Sequence, residues 1–270
     1  MIPAQFTYRR ASTVDEALAL LGEHGDDAKL LAGGHSLLPL MKLRLAVPEV
    51  LVDIAPIDEL RYVRLEGDTV AIGALSRYHD LNHDGVLREH APLVAHVAGV
   101  VGDQQVRHRG TIGGSLAHAD AAADLPAAIL AADGVLVARG PSGQREIPAA
   151  EFFLGPFTTP LEPDELLTEI RVPARAGVGW GFEKFTRRAI DWAIAGVAVL
   201  GGSVGLINMA GTPVRATATE EALAGGASIA DAAALAAEGT SPVSEPHATA
   251  EYRAHLARVL TARALETAAA

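Results

Sequence analysis

Cysteine is absent from all 270 residues. No disulfide framework is available, and no iron–sulfur cluster or zinc site can be built on thiolates of this chain. Basic residues are outnumbered, 22 Lys and Arg against 33 Asp and Glu, for a net charge of −11, and no Lys/Arg-rich block occurs. Nucleic acid and anionic membrane surfaces are therefore poor matches as partners. The opening Met1-Ile2-Pro3-Ala4-Gln5-Phe6-Thr7 lacks the basic and apolar regions of a secretion signal. The most apolar stretch, Ala193 to Met209, is interrupted by Gly196, Gly201, Gly202 and Gly205. It is too short and glycine-rich for a membrane span and reads as buried strands. No solenoid-length repeat or low-complexity segment is present. A cytoplasmic protein with no membrane span is the expectation.

The rest of the composition, 49% hydrophobic and 20% charged, is that of a folded globular chain. Thr13 and Glu16 fit a capping box ahead of a helix with Val14, Ala17, Leu18 and Leu21 on one face, stopped by Gly22 and Gly25. Lys29 to Ala32 reads as a short strand running into Gly33-Gly34, and Val50 to Ile54 as another. Hairpins are expected around Glu66-Gly67-Asp68 and Pro141-Ser142-Gly143. Between them lie a mostly helical Ser76 to Val101 and a helix from Asp124 to Ala132, with Pro126 in its first turn. Leu166 to Val172 reads as a strand closed by Pro173, and Arg171 to Gly179 as a linker. Glycine-spaced strands follow, then helices near 219–238 and 248–268. The pattern predicts an α+β protein with a small α+β unit at its C-terminal end.

Two glycine pairs stand out: Ala32-Gly33-Gly34-His35-Ser36 and Thr111-Ile112-Gly113-Gly114-Ser115. Consecutive glycines let successive backbone N–H groups point into one concavity, which binds phosphate without a cationic side chain. The hydroxyls of Ser36, Thr111 and Ser115 would add donors. Two such nests would suit a diphosphate held between two lobes of an acidic protein. Each pair can also be read as an ordinary tight turn. Neither has the G-x-G-x-x-G spacing, so a Rossmann site is unsupported.

Other candidates are weaker. His79 and His83 stand four apart, but the H-E-x-x-H pattern fails and no metal site is expected. Asp120 and Asp124 are likewise four apart, and Asp124 is readable as a helix N-cap. His35 and His118 each follow a glycine pair without a partner spacing that argues a triad. Arg107-His108-Arg109 is a short basic cluster. No catalytic residue is assigned.

The segments Ala32-Gly33-Gly34-His35-Ser36-Leu37-Leu38-Pro39-Leu40-Met41-Lys42 and Thr111-Ile112-Gly113-Gly114-Ser115-Leu116-Ala117-His118-Ala119-Asp120, the latter followed by Asp124-Leu125-Pro126, resemble one known family. So do Phe6 to Arg10, Glu165 to Pro173 and Phe185 to Ala193. The family is that of the FAD-binding (medium) subunits and domains of the molybdenum hydroxylase superfamily, among them aerobic carbon monoxide dehydrogenase and xanthine dehydrogenase. The resemblance covers the whole chain and is more specific in the glycine motifs than in the C-terminal half.

It implies a two-lobed FAD-binding domain of the vanillyl-alcohol-oxidase/xanthine-dehydrogenase type at residues 1–173, with lobes at about 1–56 and 57–173. A small α+β domain of the carbon monoxide dehydrogenase flavoprotein type would span 179–270. It also implies that Lys29, Leu30, Leu31, Ala32, Gly33, Gly34, His35 and Ser36 wrap the FAD diphosphate and ribityl chain. Thr111, Ile112, Gly113, Gly114 and Ser115 would make a second set of contacts, joined by Asp124, Leu167 and Lys184. Trp192 stands where carbon monoxide dehydrogenases have a Tyr near the isoalloxazine. Trp192, Leu167 and Ile112 can supply the apolar wall that a flavin needs, and Lys184 a positive charge. The chain departs from the family pattern at Ala121, where Pro is frequent, and at Ser115, where Asn is common.

By resemblance, the partners are a large molybdenum-cofactor subunit and a small [2Fe-2S] subunit, as a dimer of heterotrimers, with electrons passing from the clusters through FAD to an external acceptor. Missing cysteines fit a subunit that owns no cluster. Two other classes remain open at this point: a non-redox nucleotide or phosphometabolite binder, and a stand-alone flavin oxidase.

Overall fold

A computed structural model describes residues 2–270. The chain builds three sheets in sequence order. The first is parallel, with strand order β1-β3-β2: β1 (Thr7–Arg10), β2 (Ala28–Leu31) and β3 (Val50–Asp53). Helix α1 (Val14–His24) crosses from β1 to β2. Its Thr13 hydroxyl accepts from the Glu16 amide at 3.2 Å, while the Glu16 carboxylate reaches back to the Ser12 amide rather than to that of Thr13. Val14, Ala17 and Leu21 are buried, as amphipathic spacing requires. A short helix not foreseen from the sequence, α2 (Leu37–Lys42), follows the first glycine pair.

The second sheet has order β4-β5-β8-β6-β7 and is antiparallel throughout. It pairs the hairpins β4 (Val63–Glu66)/β5 (Thr69–Gly73) and β6 (Val135–Gly140)/β7 (Gly143–Pro148) across β8 (Leu166–Pro173). The helical stretch after β5 is broken into α3 (Tyr78–His83), α4 (Gly85–His90) and α5 (Pro92–Val100). Asp84 caps α4 and Pro92 opens α5, each fixing a helix start. Next come α6 (Gln104–Arg107), α7 (Ile112–His118) and α8 (Asp124–Ala131). Helix α9 (Ala149–Phe152) follows β7. All eight residues of α8 are buried, because it lies between this sheet's core and the next sheet.

That third sheet, order β12-β11-β10-β9, is antiparallel: β9 (Trp180–Phe185), β10 (Ala195–Leu200), β11 (Ser203–Ile207) and β12 (Val214–Arg215). Helices α10 (Thr217–Ala224) and α11 (Ile229–Ala234) replace the single helix expected near 219–238, the break falling at Gly225-Gly226. The 20-residue α12 (Ala250–Ala269) covers β9 and β10 on the face opposite α8. The linker is shorter than the sequence suggests, since β8 runs to Pro173 and β9 begins at Trp180. Polar ties cross it: the Asn208 amide donates to the Ala121 carbonyl at 2.7 Å, and Arg215 donates to the Leu130 carbonyl at 2.9 Å and to Asp133 at 2.6 Å. Among the described residues, no helix is long and apolar enough to cross a membrane.

Candidate functional site

The two glycine segments, about eighty residues apart in sequence, meet in space. A β-carbon on Gly33 would stand 2.3 Å from the Arg109 carbonyl oxygen, so the first bend is pressed against the loop leading into the second motif. Only a residue without a side chain permits that approach. Gly34 adopts φ +77°, the left-handed region, and turns the chain from β2 into α2. Among the described residues, the amides of Gly33, Gly34, His35, Ser36 and Leu37 donate to no protein acceptor. The first pair therefore has the free donors that a nest requires.

The second pair is built differently, and the nest expected there is not what forms. Gly113 and Gly114 lie in the first turn of α7, whose cap is Thr111. The Gly113 amide donates to the Ala74 carbonyl at 2.8 Å, the Gly114 amide to the Thr111 hydroxyl at 3.2 Å, and the Ser115 amide to the Thr111 carbonyl at 3.1 Å. These donors are consumed by the protein because a helix started where the sequence suggested a bend. The two glycines serve separate purposes. A β-carbon on Gly113 would lie 2.6 Å from that of Ala74, so this glycine lets α7 pack against the end of β5. Gly114 faces outward, its would-be β-carbon meeting Thr111 Oγ1 at 2.8 Å and Ala32 Cβ at 3.9 Å.

Between these segments lies a cavity of about 510 Å³, within the range of ordinary small-ligand sites. Twelve of the seventeen residues singled out in the sequence line it: Lys29, Leu30, Ala32, Gly33, Gly34, His35, Ser36, Thr111, Gly113, Gly114, Ser115 and Leu167. Five stand off the lining. Leu31 packs beside Gly34 and Ile112 is fully buried in the core. Asp124 and Lys184 lie outside it and bind each other, Nζ to Oδ2 at 2.7 Å. Trp192, on the β9–β10 connection, is 59% exposed.

Sequence reading missed other lining residues: Tyr78, and the loop between α9 and β8 with Phe157, Thr158, Thr159 and Glu162. No local signal marks them, because their approach depends on contacts between distant segments, Tyr78 with Gly110 and Phe157 with His118. His35 and His118, undecided from sequence, both line the cavity. The His118 ring lies 5.1 Å from that of Phe157, and burial lowers the His118 pKa. The His79 ring lies 4.5 Å from that of His83 and 4.1 Å from that of His108, yet no metal-competent group of three His, Cys, Asp or Glu exists among the described residues. Arg107 is spent on the carbonyls of Val101 and Gly102.

Asp124 is not the helix cap that its sequence context suggests. Ala123 occupies that position, and Asp124 is the first residue of α8, 5% exposed. Burial raises its pKa against the opposing pull of Lys184. Its Oδ1 is buried with no partner among the described residues. Tyr78, also buried, has its phenol pKa pushed up to about 12 by desolvation, against an opposing pull from the Ser115 hydroxyl and with the Asp124 charge adding to the rise. Glu165, on the rim, is held below the usual carboxylate range by hydrogen bonds from the Arg145 guanidinium. The site thus offers free amides, hydroxyls and one lysine, which suits an anionic, oxygen-rich ligand with an apolar part against Leu30 and Leu167.

Family models agree with this geometry. The model of the FAD binding domain in molybdopterin dehydrogenase matches residues 4–175, and that of the CO dehydrogenase flavoprotein C-terminal domain matches residues 180–268. The chain is 45% identical to the carbon monoxide dehydrogenase medium chain of Hydrogenophaga pseudoflava over 99% of its length and 98% of the relative's. It is 40% identical to the corresponding chain of Afipia carboxidovorans, over 100% and 99%. Its fold superposes with TM-score 0.95 on a chain of the solved structure of carbon monoxide dehydrogenase from Hydrogenophaga pseudoflava that lacks the Mo-pyranopterin moiety of the molybdenum cofactor, at 46% identity and covering 99% of this chain and 98% of that one. The protein belongs to the family of FAD-binding medium subunits of molybdenum-containing dehydrogenases, as an oxidoreductase subunit with FAD as its cofactor.

Proposed function

We propose that this chain is the FAD-carrying electron-transfer subunit of a cytoplasmic carbon monoxide-oxidising complex. Its partners are a large molybdenum-cofactor subunit and a small subunit with [2Fe-2S] clusters, assembled as a dimer of heterotrimers that delivers electrons to an external acceptor. The choice of carbon monoxide rests on the relatives of 45% and 40% identity, both carbon monoxide dehydrogenase medium chains. The observation that carries the cofactor assignment is the meeting of the two glycine segments around the cavity, with five unpartnered amides from Gly33 to Leu37.

The residues that would hold FAD are the twelve lining positions, with Leu31 packed beside Gly34 and Ile112 supporting them from the core. The amides at 33–37 are placed to receive phosphate oxygens, and the Ser36, Thr111 and Ser115 hydroxyls to add donors. Leu30 and Leu167 supply apolar wall. Asp124 and Lys184 fix the joint behind the site, where α8 meets β9. Trp192 enters on resemblance alone, as an aromatic wall contributed by the C-terminal domain. FAD, when bound, supplies a centre that collects and releases two electrons, and the protein's part is placement and electrostatic setting. The proposed units are residues 1–173, with lobes at about 1–56 and 57–173, and 179–270; the first sheet lies within the first lobe and the second within the other.

The test is to purify the complex through this chain, identify the co-purifying chains and their molybdenum, and ask which donor bleaches the bound flavin. Bleaching by carbon monoxide supports the assignment. A yellow complex bleached by an aldehyde or a purine instead removes carbon monoxide and keeps the subunit role. A chain that takes up no FAD ends the redox reading.

A further inference from the structure

Among the described residues, five other than glycine adopt a left-handed backbone, and Phe157 is the one aromatic among them, at φ +55°. It stands third in a tight turn, Gly155-Pro156-Phe157-Thr158, closed by the Thr158 amide donating to the Gly155 carbonyl at 3.0 Å. Pro156 holds its own φ at about −65°, so a positive φ at the next residue makes this a type II turn, where glycine or asparagine is usual. A bulky side chain at that position is strained. The turn is braced from two directions. The Leu154 amide donates to the Thr158 carbonyl at 3.0 Å, and the Thr158 hydroxyl to the Pro156 carbonyl at 3.1 Å. Gly211, between β11 and β12, comes so close that a β-carbon on it would stand 3.2 Å from the Pro156 ring.

Strain and exposure fall on the same side chain, since Phe157 is 62% exposed and borders the cavity. Its ring neighbours that of His118, centroids 5.1 Å apart and planes inclined at 41°. His118 lies four residues after Gly114 on α7, so the two share a helix face, and both border the cavity with Ser115 and Ala117. Burial lowers the His118 pKa, which leaves a neutral imidazole beside the ring at pH 7. A strained turn that holds an apolar ring largely open to water is a cost to the folded chain, and a ligand ring laid against it would offset that cost through buried area and stacking. Resting on the FAD reading above, we propose that Phe157 is an aromatic wall at the rim of the site, its ring packing against a flat ring of the dinucleotide, adenine or isoalloxazine, with His118 beside it.

The experiment titrates the full chain, stripped of flavin, with FAD and separately with ADP, and measures the melting temperature of the flavin-free form. The variants are Phe157→Asn, Phe157→Leu and Phe157→Tyr. Asparagine suits a left-handed backbone and removes the ring. Leucine keeps apolar bulk and strain without a flat face, and tyrosine keeps all three. Phe157→Asn should bind FAD about tenfold more weakly, while its flavin-free melting temperature stays level or rises because strain is relieved. Phe157→Leu should lose about threefold and Phe157→Tyr stay within about twofold of wild type. A matching loss for ADP identifies the stacked ring as adenine, and unchanged ADP affinity identifies it as isoalloxazine; both support the wall. Wild-type FAD affinity in Phe157→Asn, or equal affinity of the Leu and Tyr variants, overturns the inference. So does a flavin-free melting temperature that falls in Phe157→Asn together with affinity, since the ring would then be structural. Failure of the unmodified chain to bind FAD overturns the underlying reading instead, so the two failures are separable.

Discussion

Gly33 and Arg109 are in backbone contact: a β-carbon on the glycine would come within 2.3 Å of the arginine carbonyl oxygen. This contact joins the parallel first sheet to the loop that enters α7, and the cavity exists because of it. Gly33→Ala must therefore push the two segments apart. The expected cost is about 1–3 kcal/mol of stability, as for overpacking in a core, together with loss of FAD. Urea unfolding and flavin content measure both, and a variant as stable and as yellow as wild type would refute the contact's role.

Gly114 faces the cavity rather than the core. Gly114→Val would crowd the Thr111 hydroxyl and fill ligand space, while the sheet packing at Gly113 and Ala74 stays intact. Stability should fall by about 1 kcal/mol, the worth of a helix cap, but FAD retention should vanish. Full flavin occupancy in this variant would count against the assigned site.

Asp124 and Lys184 form a buried pair between α8 and β9. Lys184→Ala leaves a buried carboxylate without its counter-charge and should cost about 3–5 kcal/mol. Replacing both members with apolar residues, Asp124→Leu with Lys184→Met, should cost less than Lys184→Ala alone. If the double replacement costs as much as the sum of the two single ones, the pair is not interacting as described.

Stability should also depend on alkaline pH through Tyr78. Its phenol is pushed up to about 12 from an ordinary 10, so the folded chain keeps this proton where the unfolded chain has lost it. That contribution is complete below the unfolded value and drains away as pH climbs toward the folded one. Between about pH 8 and about pH 11, wild type should lose about 1.4 kcal/mol relative to Tyr78→Phe. Parallel stability curves for the two proteins would show that the phenol is not sequestered.

Trp192 and Trp180 are the chain's two tryptophans, which gives the proposed aromatic wall its own readout. In a Trp180→Phe background all indole emission comes from Trp192. Addition of FAD should quench it if the ring stacks there. Undiminished emission with FAD fully bound would place Trp192 away from the flavin.

Local patterns were legible in the sequence where one short-range interaction decides the outcome. The Thr13 cap, the hairpins at Gly67 and Gly143, and strand β8 ending at Pro173 all formed where periodicity and turn chemistry put them. The absence of cysteine settled by itself that this chain carries no thiolate-bound cluster. The first glycine pair became a left-handed bend with free amides because Gly34 can adopt φ +77° without a side-chain clash.

Tertiary structure decided the rest, since sequence spacing carries no information about which surfaces meet. Gly113 and Gly114 look like a second copy of the first pair, yet packing of Gly113 on Ala74 and the Thr111 cap drew them into a helix and took up their amides. Asp124 looked like a cap until Lys184, sixty residues away, claimed it in the interior. Tyr78 and Phe157 reach the cavity through packing between distant segments, Tyr78 against Gly110 and Phe157 beside His118, which no local motif encodes.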